Sequence, residues 1–216
     1  MPTLFIGGTD TGVGKTWVTA GLLRQLRGAG LRAAGYKPVA AGCEHDAEGW
    51  RNEDALALQA AGEPGLAYAQ INPCALPEPL APHIAAARAG MAIDLPALAK
   101  GARALAAQHD WLLVEGAGGL RVPLAAGVDA LDWVAEQGWP VLLVVGMRLG
   151  CLNHALLSAE VLSARGLRWA WLANPLPPRQ PALEENLQTL QEWMPGSCLR
   201  LDQPDWLAQL QAFAGE

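Results

Sequence analysis

Mostly apolar residues gather in five short runs, at 4–6, 31–36, 111–114, 141–145 and 169–173, and between them apolar positions recur at helical spacing. A strand with one wet face alternates apolar and polar residues, whereas a strand covered on both faces is apolar throughout. Runs of the second kind, separated by helices, predict an α/β fold with a mostly parallel central sheet and helices on both faces. Val18, Leu22 and Leu26 repeat at i, i+4 and i+8, which predicts a helix ending at Gly28 or Gly30. A second helix is expected over 155–165, with Leu156, Leu157, Val161 and Leu162 inward and Gly166 closing it. There is no internal repeat. The stiff stretch PLPPRQP at 175–181 reads as an excursion, because too little chain follows it for a second domain. At 216 residues the expectation is one domain spanning 1–216.

The stretch GGTDTGVGKT at 7–16 lies between the first apolar run and the first helix. Its ending, Gly14, Lys15 and Thr16, is that of a P-loop, in which backbone N–H groups and a helix N-terminus surround phosphates. Lys15 would reach the β and γ oxygens, and the Thr16 hydroxyl would ligate Mg²⁺. The strict G-x-x-x-x-G-K-[ST] spacing requires glycine at position 9, which is Thr9, so the loop is a variant. Such a site also needs a carboxylate at the end of an apolar strand. WLLVEGAGG supplies Glu115, followed by glycines that let backbone pass close to a ligand.

Composition changes the weight of one further residue. Twelve arginines stand against three lysines, Lys15, Lys37 and Lys100, so a retained lysine suggests a site that needs a compact point charge. Lys37, at the strand end in AGYKPVAAG, would neutralise charge between a phosphate and a second substrate. Asp54 is open to two readings: a site ligand, or part of a helix cap and acidic first turn with Asn52 and Glu53. GCLNHALL at 150–157 opens a helix whose free N–H groups suit a carboxylate as well as a phosphate.

Apolar content of 51%, charged content of 17% and a net charge of −6 fit a globular protein with no nucleic-acid partner. No apolar run is long enough for a bilayer, and no basic segment precedes an apolar one at the N-terminus, so a cytoplasmic location without membrane contact is expected. Four dispersed cysteines and four histidines show no metal-ligand spacing, and no G-x-S-x-G supports a hydrolase nucleophile.

GTDTGVGKT, GYKPVAAG, RNEDALAL, VEGAGG and GCLNHALL occur in the order and spacing of the dethiobiotin synthetases, and the chain resembles that family over roughly four-fifths of its length, to Asn174. The resemblance implies that 7,8-diaminononanoate, CO₂ and MgATP are converted to dethiobiotin, ADP and phosphate through a carbamate and a carbamic-phosphoric anhydride. It implies catalytic roles for Lys15 and Lys37, and Mg²⁺ ligation by Thr16, Asp54 and Glu115. ATP would be held by Gly12, Val13, Gly14, Lys15, Thr16, Trp17, Asp54, Glu115, Gly116, Ala117, Gly118, Asn174 and Pro204. The substrate would meet Ala41, Gly150, Cys151 and Asn153, the last three across a homodimer interface.

The chain departs from the family pattern in three places. Ala41 stands where a serine is frequent, Gly12 where a glutamate occurs, and, in the base-binding part, Pro175 follows Asn174 where an acidic residue is common while LRLDQPDWL at 199–207 replaces the family's G-I-P-x-L. The rival reading is a partition or cell-division ATPase switch of the same fold. Those switches carry a lysine at the position of Asp10 and have no use for Lys37.

Overall fold

The computed structural model describes residues 2–215. The chain begins with β1 (Thr3–Gly8), α1 (Lys15–Gly28), β2 (Ala33–Tyr36), β3 (Val39–Ala41), β4 (Glu44–Asp46), β5 (Gly49–Arg51), α2 (Glu53–Ala61), α3 (Tyr68–Ile71) and β6 (Cys74–Leu76). It continues through α4 (Pro82–Arg88), α5 (Leu95–Ala106), β7 (Trp111–Glu115), β8 (Pro123–Ala125), β9 (Val128–Asp129), α6 (Ala130–Gln137) and β10 (Val141–Met147). The last elements are α7 (Cys151–Ala164), β11 (Trp169–Pro175), α8 (Leu183–Trp193), β12 (Ser197–Cys198) and α9 (Trp206–Gly215).

Six strands form one parallel sheet in the order β12-β11-β10-β1-β7-β2. The apolar runs are continuous because both sides of each strand are covered. On β7, Leu112 and Val114 enter one cluster with Leu98 and Leu105 of α5, Leu131 of α6 and Leu162 of α7. Leu113, between them, enters the opposite cluster with Leu22 and Leu26 of α1, Leu58 of α2 and Leu210 of α9. Alternate residues of one strand thus anchor two helical layers.

The sheet gains a strand that the hydrophobic pattern did not suggest. β12 is only two residues long and pairs with Ala170 and Trp171 at the edge. Leu31 and Arg32 fall outside β2, since Gly30 turns the chain at φ +81° and Arg32 pairs with Asp110 at the surface. Helix α7 starts at Cys151, where GCLNHALL opens it and ahead of the 155–165 span expected from the apolar spacing, and Leu157 is 53% exposed rather than inward. The helix turns Ala155, Ala159 and Leu162 to the core, and a residue two positions from Ala155 lies some 200° around the axis from it.

Candidate active site

The loops that follow the strands of a parallel sheet emerge at its C-terminal edge, where open α/β folds bind ligands. Here β7 lies between β1 and β2, with Ile6 opposite Glu115 and Tyr36 opposite Val114. Glu115 is therefore next to the strand that launches the glycine loop, and Lys37, one residue beyond β2, is next to Glu115. Asp54 arrives from a different element, the first turn of α2. Asn52 caps that helix, its Oδ1 accepting from the N–H groups of Asp54 at 3.1 Å and Ala55 at 3.4 Å. The cap itself is Asn52, and Asp54 sits two residues further on, in the acidic first turn of α2.

These side chains meet. Nζ of Lys37 donates to Oε1 of Glu115 at 2.6 Å, Oδ2 of Asp54 at 2.9 Å and the Gly116 carbonyl at 3.3 Å. The Thr16 hydroxyl lies 2.7 Å from Oδ1 of Asp54 and 2.8 Å from Oε1 of Glu115, and its single proton serves one of them at a time. Burial disfavours the Lys37 charge, but Glu115 and Asp54 outweigh it and raise the ammonium pKa above its ordinary value. Burial likewise resists ionisation of Asp54, yet the Lys37 charge and the bonds from Lys37 and Thr16 hold its carboxyl below the usual range.

Lys15 is shifted the other way. Burial, then the neighbouring Lys37 ammonium, lowers its pKa to about 8. Nζ of Lys15 donates to the Asp10 carbonyl at 3.1 Å, inside the loop. Gly14 stands before the helix at φ +85°, and an added Cβ there would collide with Nδ2 of Asn174. No side chain caps α1, so the N–H groups of its first turn are open to an anion.

Oε2 of Glu115 is buried without a hydrogen-bond partner, although the residue is closed to solvent. With the Thr16 hydroxyl and Asp54 it completes an all-oxygen donor set fit for a hard divalent cation. Among the described residues, no group of three or more His, Cys, Asp or Glu side chains is placed to hold a metal. Two carboxylates and a hydroxyl would instead share the ion with phosphate oxygens, the usual arrangement for Mg²⁺.

Next to the loop opens a cleft of about 940 Å³, walled by Gly14, Trp17 and Val18 of the loop and α1, Asn174 at the end of β11, and Leu176, Pro177 and Arg179 beyond it. The far wall is Leu183 of α8 with Leu199, Arg200, Leu201 and Asp202. Asn174 donates from Nδ2 to the Val13 carbonyl at 2.8 Å, which ties this wall to the glycine loop. Pro204 is exposed and outside the lining. Sequence reasoning missed the residues of the proline-rich excursion; it located the 199–207 stretch but chose Pro204 in it, whereas the lining residues are 199–202. The density of proline at 175–181 was the only sign of a fixed loop.

The remaining positions are distributed along the same edge. Gly116 packs on Phe5, whose Cζ an added Cβ would approach to 2.7 Å, so its glycine serves sheet packing as well as the loop. Ala117 and Gly118 are half-buried in the turn after β7, and Gly12 is exposed at φ +70°. Ala41 ends β3, half-buried opposite Leu76. At the start of α7, Gly150 and Asn153 are exposed and Cys151 is buried. Arg148, just before them, donates to Oδ2 of Asp10 at 2.6 Å and so joins this segment to the glycine loop.

Known proteins share both the sequence and the fold. A family model described as an AAA domain matches residues 2–193. The ATP-dependent dethiobiotin synthetase of Xanthomonas euvesicatoria is 48% identical over 206 residues, covering 95% of this chain and 89% of its own. That of Xylella fastidiosa strain 9a5c is 50% identical, with 90% and 87% covered, and that of Pseudomonas paraeruginosa 51%, with 92% and 88% covered. The chain belongs to the dethiobiotin synthetase family. It is thereby one of the ATP-dependent ligases of biotin synthesis. Solved structures place this dethiobiotin synthetase fold beside MinD. The MinC:MinD complex of Aquifex aeolicus matches with a TM-score of 0.57 at 14% identity, covering 99% of this chain and 86% of that one. MinD with Mg-ADP from Pyrococcus horikoshii matches with a TM-score of 0.54 at 16% identity, covering 92% and 79%. At such identities the likeness concerns fold alone.

Proposed function

We propose that the chain joins CO₂ to 7,8-diaminononanoate and closes the ureido ring of dethiobiotin with ATP, at the cluster of Lys15, Thr16, Lys37, Asp54 and Glu115. The supporting observation is the convergence of two lysines and two carboxylates around the end of the glycine loop. One amine takes up CO₂ as a carbamate, and a carbamate oxygen attacks the γ-phosphorus as ADP leaves. The second amine then attacks the carbonyl carbon of the mixed anhydride and expels phosphate.

The chain's part is positioning and electrostatics. Lys37, kept charged by Glu115 and Asp54, cannot act as a base near neutral pH; it stabilises the negative charge that develops between carbamate and phosphoryl group. Lys15 and the first-turn N–H groups of α1 hold the phosphates. Mg²⁺ held by Thr16, Asp54 and Glu115 would neutralise phosphate oxygens. The cleft beside Trp17 and Asn174 takes the base. The start of α7, at Gly150, Cys151 and Asn153, receives the far carboxylate of the diamino acid from a second copy of the chain, and Ala41 contributes no hydrogen bond from its side chain.

The test is a coupled assay with each substrate omitted in turn. Phosphate release should match dethiobiotin formed and require diaminononanoate, bicarbonate and Mg²⁺ together. Fast ATP turnover without the diamine, or none with it, rejects the reading. A monomeric mass by light scattering at assay concentration rejects the shared site.

A further inference from the structure

Lys37 and Asp54 belong to segments separated by β3 and by the β4–β5 hairpin, yet Nζ and Oδ2 lie 2.9 Å apart. The groups that hold the two segments together lie behind the site. The Tyr68 hydroxyl, on the first residue of α3, accepts from the Asn52 N–H at 2.8 Å and donates to Oδ1 of Asn72 at 2.9 Å. Asn72 donates from Nδ2 to the Lys37 carbonyl at 2.7 Å, and the Lys37 N–H donates to the Ile71 carbonyl at 2.8 Å. On the other side, the Asn52 side chain caps the helix turn that carries Asp54. The Arg51 guanidinium covers the Tyr68 ring, 4.4 Å from its centroid.

One phenolic oxygen is therefore the junction of two runs of hydrogen bonds, one ending at the backbone of Lys37 and the other at the backbone of Asp54. We propose that Tyr68 is a positioning residue of this enzyme, whose hydroxyl fixes the separation of Asp54 from Lys37 and so presents the Asp54 carboxylate to the metal. The proposal rests on the reading of Asp54 as a Mg²⁺ ligand. Asn52 and Asn72 are buried and Tyr68 half-buried, and Tyr68→Phe puts no polar group in place of the missing oxygen. The Asn52 N–H and Asn72 Oδ1 would then lose a partner together. Removing groups that orient a metal ligand typically weakens metal binding by about 10- to 100-fold.

The experiment titrates Mn²⁺ into the protein with a non-hydrolysable ATP analogue present, followed by electron paramagnetic resonance. Tyr68→Phe should weaken Mn²⁺ by about 10-fold or more. It should add nothing to the loss already caused by Asp54→Asn. Tyr36→Phe is the matched control: its buried hydroxyl donates to the Leu98 carbonyl at 2.9 Å, away from the site, and its loss should leave Mn²⁺ affinity unchanged. Asn72→Ala frees the Lys37 carbonyl but leaves the Asn52 N–H bonded to Tyr68, and serves if Tyr68→Phe folds poorly. Cutting this one run should weaken Mn²⁺ several-fold, and wild-type Mn²⁺ affinity in a folded Asn72→Ala would count against the proposal. Wild-type Mn²⁺ affinity in Tyr68→Phe alongside a loss in Asp54→Asn overturns the role of Tyr68 and leaves the ligand reading standing. Wild-type affinity in Asp54→Asn overturns the ligand reading, and this proposal with it.

Discussion

Nζ of Lys37 lies 2.6 Å from Oε1 of Glu115, and both side chains are closed to solvent. A buried pair of this kind does more than hold charge in place: taking away either member strands the other in a medium that cannot solvate it. Lys37→Ala is therefore expected to cost on the order of 3–5 kcal/mol of folding stability, read by urea titration. It should also lower kcat by about 10²-fold or more with nucleotide affinity little changed, as loss of a transition-state contact does. Lys37→Arg should not restore turnover, because a planar fork does not occupy the place of an ammonium. Wild-type turnover in Lys37→Ala would return the residue to a purely structural role.

The second prediction concerns pH. Lys15 titrates at about 8, lowered by burial and then by Lys37, so the free protein loses this charge as pH rises through that value. The parameter kcat/KM for ATP reports the free enzyme and should fall above pH 8, while kcat persists to higher pH because bound phosphate oxygens favour the ammonium. Stability moves in the opposite sense. Between about 8 and the ordinary value of 10.5 the unfolded chain binds more protons than the folded one, so this group's contribution to stability grows as pH rises across that window. A flat kcat/KM profile to about pH 9.5 would contradict the assignment of Lys15 to the phosphates.

Trp17 is 74% exposed, yet it lines the cleft together with Pro177 and Leu201. On the proposed reading of this cleft as the base site, the indole would stack on the base. Trp17→Ala should then weaken ATP by roughly 5- to 100-fold, the equivalent of about 1–3 kcal/mol for one stacked base. The factor should be similar for GTP and CTP, since every base offers a π face. Equal ATP affinity in the variant and the parent, measured by calorimetry, would place Trp17 outside the binding surface.

How far the sequence reaches depends on the kind of signal each part carries. The glycine loop, Lys37 and Glu115 were legible because each sits at the end of an apolar run, and in a parallel sheet those ends share one edge. Their convergence was expected from the family resemblance and not from local pattern, since it depends on β7 inserting between β1 and β2, a strand order that no local pattern encodes. Asp54 looked like part of a helix cap because it is next to one. The cleft was the least visible part: Leu176, Arg179 and Leu201 come from loops with no periodicity, and their role exists only once β11 and β12 bring them together. Leu157 shows the converse error, an apolar residue assigned inward by type although the helix turns it outward.

The cluster at the sheet edge is balanced at rest, two cationic side chains against two anionic ones. A divalent ion arriving alone would leave surplus positive charge in a poorly solvated place, and a bare triphosphate would leave surplus negative charge. Each species would neutralise part of what the other introduces, so on the proposed ligand reading the two should enter most readily as one complex. A preference for the combined ligand would then follow from the charge balance of the chain's own four side chains.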